Sequence, residues 1–178
     1  MANTYELIDS TTVGSSGASS IIFTNIGSIP NTFTDLLIKI SARVDQSGAP
    51  NVCLRFNSDT GSNYKYKTAF GDGTSPGSYS EVDTGNTFIN LGYGNNSSHT
   101  SNTFGNLEVV IPNYTDSKYK LTTSESVQEN NNATAYMMIT CGYWNNTNAI
   151  TSITLFNQNS GYKWTEHTTA SLYGIKNS

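Results

Sequence analysis

Two histidines, two cysteines and 13 acidic residues bound the acid–base, thiol and metal chemistry open to this chain of 178 residues. His99 lies in a polar run, GNNSSHTSN, and His167 follows Glu166 in WTEHTT. Nucleophilic hydrolysis needs an activated Ser or Cys with a base in reach, and neither histidine has a motif around it that would supply one, so both read as surface residues. Glu108, Glu125, Glu129 and Glu166 could supply the paired carboxylates of a glycosidase. Glu108 and Glu125, however, fall on the polar positions of alternating segments, where carboxylates face solvent as a matter of course. Asp59-Thr60-Gly61 and Asp72-Gly73 begin like calcium loops, but the series of oxygen ligands stops there, so they read as turns. The cysteines and histidines match no zinc-ligand spacing. Cys53 and Cys141 each sit inside an apolar strand pattern, which favours buried free thiols packing as small hydrophobes over a disulfide between them. The residues therefore imply no enzyme, no catalytic set, no cofactor and no metal.

One group of residues is more open to binding. Tyr143, Trp144, Tyr162 and Trp164 gather aromatic surface in the C-terminal half. Their rings can cap a hydrophobic core, anchor a protein interface, or stack on the sugars of a glycan.

The elements that must carry these residues are strands. Segment 34–44, TDLLIKISARV, places Leu36, Ile38, Ile40, Ala42 and Val44 at even positions and Lys39, Ser41 and Arg43 at odd ones. That period of two marks a strand with one face on a core; a helix would scatter the same apolar residues around its cylinder. Its apolar face needs a second layer, and 107–111, 135–141 and 150–155 are the candidates to supply it. Leu37, apolar on the polar face, calls for cover from a loop or the N-terminal segment. Further strands are expected at 4–8, 20–26, 52–56, 64–70, 79–82, 88–93, 103–111, 119–127, 135–144, 150–156, 162–166 and 168–175, divided by Gly, Pro, Asn and Ser turns. Segment 135–144 is apolar at nearly every position and reads as buried on both faces. Residues 71–85, with four glycines and Pro76, read as a long surface loop, and the N-terminal segment 1–20 as flexible.

Composition supports this reading. Asn, Thr, Ser and Gly number 22, 24, 23 and 15, and charged residues make up only 12%, a mix that suits strands and wet turns. Parallel sheets need long crossovers, usually helical, and none is visible. The fold class is all-β: an antiparallel two-layer β-sandwich, jelly-roll-like, in a single domain spanning 1–178. A net charge of −4 with scattered lysines gives no stripe for phosphates, so no nucleic-acid partner is expected. The opening MANTYELIDS has neither the basic nor the apolar region of a secretory signal, and no run is long and apolar enough to span a bilayer, so no membrane partner is expected.

Several stretches together resemble a known family. They are MANTYELIDSTTVGS, TDLLIKISAR, SNTFGNLEVVIPNY, SVQENNNAT and AITSITLFNQNSGYKWTEHTTASLYGIKNS. The series is similar to virion structural proteins of tailed phages, of the marine and cyanophage type, that carry an L-Y-G-I-K tail. The resemblance covers nearly the whole chain and brings no catalytic signature and no site residues. It implies a particle component located in the virion after assembly in the host cytoplasm. The expected role is a capsid decoration or cement protein acting through subunit contacts, with the major capsid protein or tail proteins as partners and a homo-oligomeric state. Contacts would fall on segments 1–20, 71–85 and the Tyr143–Trp144 tip. The rival expectation is a tail or tail-fibre module that recognises host glycan through Tyr143, Trp144, Tyr162 and Trp164.

Overall fold

Thr, Val, Ile and Tyr in alternating runs between Asn/Gly/Ser turns leave the backbone little alternative to a sheet. The computed structural model describes residues 4–24, 26–28, 33–74, 76–80, 85–128, 130–131 and 135–176. Among these described residues are twelve strands: β1 Tyr5–Thr12, β2 Ser20–Phe23, β3 Asp35–Ala42, β4 Asn51–Phe56, β5 Tyr64–Gly71, β6 Pro76–Ser80, β7 Ile89–Tyr93, β8 Gly105–Ile111, β9 Lys120–Val127, β10 Met137–Trp144, β11 Ile153–Asn157 and β12 Thr169–Ile175. Among the described residues the one helical element is a 3-10 turn, Ile26–Ser28. Eight strands form a large sheet in the order β1-β12-β3-β8-β9-β10-β5-β6, and four form a small sheet, β2-β11-β4-β7. Neighbouring strands are antiparallel throughout both sheets. The two sheets pack face to face as a β-sandwich.

The segment TDLLIKISARV is central to this arrangement. As β3 it lies inside the large sheet, with Leu36, Ile38 and Ile40 opposite Ile111, Val109 and Leu107 of β8 on one side. Leu172 and Ala170 of β12 stand opposite Ile38 and Ile40 on the other side. All of these residues are at or near zero exposure. The cover comes from Ile21, Phe23, Val52, Leu54, Phe56, Ile89, Leu91, Ile153 and Leu155 of the small sheet, all buried in the same core. At about 1.5–3 kcal/mol per fully buried aliphatic or aromatic side chain, this layer dominates the stability of the fold.

Of the three segments expected to cover β3, only 150–155 does so, through β11. Segments 107–111 and 135–141 belong to β8 and β10, which are strands of the same sheet as β3. Periodicity tells which face of a strand is apolar, not which sheet the strand joins. Leu37 is 5% exposed on the outer face, flanked by its register partners Val110 and Tyr173 and close to Tyr5 of the N-terminal strand.

Other elements differ from expectation. The N-terminal segment holds β1, an edge strand with a bulge between Leu7 and Asp9. In the 71–85 stretch, the strand expected at 79–82 is instead β6 at Pro76–Ser80, and it pairs with β5; residues 81–84 lie outside the described residues. Segment 162–166 makes no strand. Instead, Trp164 exchanges backbone hydrogen bonds with Ala18, its N–H donating at 2.8 Å and its carbonyl accepting at 3.1 Å. Its indole is buried, so this stretch runs across the sandwich end as a plug.

Candidate functional site

The far half of the large sheet inverts the usual alternation. On β9 the inward positions are Lys120, Thr122, Ser124 and Ser126, all buried, while Leu121, Thr123, Glu125 and Val127 face out and are exposed. On β10 the inward positions are Met138, Thr140, Gly142 and Trp144, while Met137, Ile139, Cys141 and Tyr143 face out. The cause lies in the approach of β7 from the small sheet. A Cβ added at Gly142 would come 2.8 Å from Ile89 Cγ2 and 3.0 Å from Thr122 Oγ1, and one added at Gly92 would come 2.1 Å from Ser126 Oγ. Where the layers are pinched this closely, around Gly92 and Gly142, the inward side chains of β9 are the small Thr122, Ser124 and Ser126.

Those small residues are polar and must be satisfied in place. Ser124 donates to the Leu91 carbonyl at 2.9 Å, Gln128 Nε2 to the Gly94 carbonyl at 2.7 Å, and the Thr68 and Thr140 hydroxyls share a 2.7 Å hydrogen bond. The Lys120 ammonium donates to the carbonyls of Asp116 and Lys118, and burial lowers its pKa from the ordinary lysine value. Thr122 Oγ1 and Ser126 Oγ are buried with no hydrogen-bond partner among the described residues. Replacing Thr122 by valine is therefore expected to raise stability by about 1 kcal/mol, because an isosteric methyl relieves an unpaired hydroxyl. A urea midpoint that falls in Thr122→Val would refute this.

The displaced apolar residues sit on the outside. Leu121, Val127, Met137 and Ile139 are 41–57% exposed, and Tyr119, 56% exposed, stacks on Tyr143 with centroids 6.4 Å apart. The expectation that 135–144 is buried on both faces, and Cys141 with it, is corrected: in the isolated chain the outer face of β10 meets water and Cys141 is exposed. Cys53 is buried as expected, and both cysteines are free. Burial pushes the Cys53 thiol above its ordinary pKa. Shallow depressions in this face are lined by Ala69, Glu125, Val127, Met137 and Ile139 toward one end of the strands and by Lys65, Lys67, Leu121, Cys141 and Tyr143 toward the other.

The four aromatic candidates do not share a surface. Trp144 and Trp164 are each 1% exposed. The Trp144 indole N–H donates to Asp59 Oδ2 at 2.6 Å, and its ring stacks on Tyr64 at 6.3 Å. Trp164 plugs the other end, its indole N–H without a hydrogen-bond partner among the described residues. Tyr143 points from β10 to the opposite face from Trp144, and Tyr162 is exposed in a turn, 39% accessible. Neither tryptophan offers a free ring face for a sugar.

The titratable candidates are scattered too. The backbone carbonyl of His99 accepts from Arg43 Nη2 at 3.0 Å, and burial together with the Arg43 charge lowers the imidazole pKa. His167 stands in the left-handed region at φ 70 and donates its backbone N–H to the Val13 carbonyl. Glu108 and Glu125 are register partners on the outer face, and Glu108 pairs with Lys39 at 2.9 Å. Glu129 lies outside the described residues. Asp59 and Asp72 form turns: Asp59 accepts from Gly61 N and Asp72 from Thr74 N, both at 2.8 Å. Among the described residues no three His, Cys, Asp or Glu side chains gather to hold a metal ion. Residues 73–77, GTSPG, have the spelling of a nucleophile elbow, but they lead into strand β6, whereas an elbow runs from strand to helix; Ser75 itself lies outside the described residues.

The feature that sequence reasoning missed is the outer face of β9, β10 and β5. Its signal was present: LTTSESV and MMITCGY each alternate, but with the small polar set in the inward register. Comparison with protein-family models finds no match for the chain, and comparison with curated proteins finds none.

Proposed function

We propose that the chain is a structural subunit of a tailed-phage particle, a decoration or cement protein that stabilises the capsid by burying complementary surface between neighbouring subunits. The observation that carries this reading is the outer face of β9 and β10, where Val127 stands opposite Met137, Ile139 follows on β10, and Leu121 lies at the far end opposite Tyr143, all of them in water. Monomers seldom leave a contiguous apolar face of this kind uncovered, and such faces mark interaction surfaces. The sequence resemblance to tailed-phage virion proteins supports the particle assignment, and the β-sandwich supplies the rigid frame that repeated contacts need. A bound subunit stabilises the shell by mass action, because it binds the assembled state and not the dissociated one. The rival role as a glycan-reading tail module is weakened by the burial of Trp144 and Trp164.

Quantitative mass spectrometry of purified particles tests this reading. A copy number comparable with that of the major capsid protein is expected, with particles stripped of the chain losing heat resistance and regaining it on re-addition. A few dozen copies located on the tail would overturn the cement role, and absence from the particle would overturn the structural reading altogether.

A further inference from the structure

The uncovered face has a charge pattern that selects its occupant. Across its width Glu108 of β8 and Glu125 of β9 lie on one flank, Lys65 and Lys67 of β5 on the other, and Met137, Ile139, Cys141 and Tyr143 of β10 form the ridge between them. Along the strands, Glu125 shares a row with Ile139 and Ala69, and Lys67 shares the next row with Cys141 and Thr123. We propose that this face binds a second copy of the chain, sheet against sheet, about a two-fold axis running parallel to β10. The proposal deepens the particle-subunit reading above and rests on it for biological context only.

Charge decides the direction of the axis. A two-fold parallel to β10 exchanges left and right, so β9 of one copy lies over β5 of the other and Glu125 comes within one row of the second copy's lysine at position 67, while Glu108 of β8 keeps its own partner Lys39. A two-fold perpendicular to the strands would keep each flank on its own side, setting glutamates against glutamates and lysines against lysines, which opposes pairing. An isologous dimer buries one patch against itself, and here that patch is the apolar ridge: Met137 on Met137, Ile139 on Ile139, Cys141 on Cys141.

Size agrees. Three strands, β9, β10 and β5, cover one another about this axis; at about 4.8 Å apart, with eight residues rising about 3.4 Å each, they give roughly 400 Å2 in projection, and β8 of each copy extends over β6 of the other. Side-chain relief raises this toward the about 800 Å2 per partner of a standard stable interface. Packed sheets stand about 10 Å apart, so the two Cys141 Cα atoms are too distant for an unstrained disulfide, and the ridge covers both thiols.

Sedimentation equilibrium on the purified chain tests the proposal, with a dimer of two 19.3 kDa chains as the expected species. Ile139→Asp is expected to raise the dimer Kd at least ~100-fold while the monomer melts as before, since this side chain projects into water. Lys67→Glu and Glu125→Lys are each expected to weaken the dimer ~10-fold, and the double exchange to restore most of the loss. A fold defect could not produce that rescue. Maleimide alkylation of Cys141 is expected to be at least ~10-fold slower in the wild-type dimer than in Ile139→Asp, Cys53 being buried in both. A monomer at ~100 μM, well above the micromolar Kd range of weak specific complexes, would overturn the proposal. So would a dimer indifferent to Ile139→Asp, or a double exchange no better than either single one. The outcomes separate from those of the particle test: a dimer absent from particles refutes only the virion role, and a monomer present in particles refutes only this face.

Discussion

Replacing Trp144 with alanine is expected to lower the unfolding free energy by about 4 kcal/mol, the range of large-to-small changes in a well-packed core. The indole lies 5.5 Å from Phe56 and 6.3 Å from Tyr64, centroid to centroid, and is 1% exposed. Its removal opens a cavity at the end of the sandwich where β5, β9 and β10 meet. It also strips Asp59 of its shortest donor, the 2.6 Å bond from the indole N–H. The complementary change, Asp59→Ala, leaves that N–H buried without an acceptor and is expected to cost about 2–3 kcal/mol. Asp59 carries a pH signature as well. Burial pushes its pKa up, but hydrogen bonds from Trp144, Asn63 and Gly61 outweigh this and hold the carboxyl below its ordinary value. The unfolded chain then takes up the proton first as pH falls. The stabilising contribution is complete above the ordinary carboxylate range and is lost as pH drops through the lower folded value. Urea titrations followed by circular dichroism between neutral and acid pH check this: the acid limb should flatten in Asp59→Asn. An unchanged limb, or a Trp144→Ala variant within 1 kcal/mol of wild type (about a quarter of the expected loss), would refute the arrangement.

Gly92→Ala is expected to be nearly as damaging, at about 3–4 kcal/mol, from two sources that a second variant separates. Gly92 stands at φ 125 where β7 and β4 slip register, so any side chain strains the backbone. A Cβ there would also meet Ser126 Oγ at 2.1 Å and Ser126 Cβ at 2.7 Å. Combining Gly92→Ala with Ser126→Gly removes the collision and should return the steric part, leaving about 1–2 kcal/mol for the backbone. Gly161 serves as the control: a Cβ added there meets nothing within 4 Å and its φ is not positive, so its alanine variant should be neutral. Equal melting temperatures for Gly92→Ala and Gly161→Ala would contradict the pinched layers.

Much of the scaffold was legible in the residues. Alternation in 34–44, 52–56, 64–70 and 103–111 locates β3, β4, β5 and β8 to within a residue or two, because each turns a largely apolar face to one core, with Thr68 of β5 the polar exception. The two-layer antiparallel class followed from turn spacing and from the lack of helical crossovers. Sheet membership was not legible: whether β8 covers β3 or lies beside it depends on non-local pairing that periodicity does not encode. The burial of Trp144 and Trp164 escaped too, since tryptophan is at home both on rims and in cores, and the acceptor that admits Trp144, Asp59, lies 85 residues away. The candidate interface was hidden because the apolar residues of an alternating strand ordinarily face inward. On β9 and β10 the close approach of Gly92 and Gly142 to their neighbours reverses that assignment, and the alternation of LTTSESV and MMITCGY does not by itself say which set faces in.

The polar lining under β9 has a thermal consequence. Apolar surface exposed on unfolding raises heat capacity and polar surface lowers it. Lys120, Thr122, Ser124 and Ser126 contribute polar atoms where a common sandwich would bury aliphatic ones, while Leu121, Val127, Met137 and Ile139 are already hydrated before unfolding begins. The isolated chain thus has a smaller heat-capacity increment than its strand content alone implies, and a flatter dependence of stability on temperature. A partner that covered the outer face would restore the missing apolar burial, and the curvature of that dependence would rise with it.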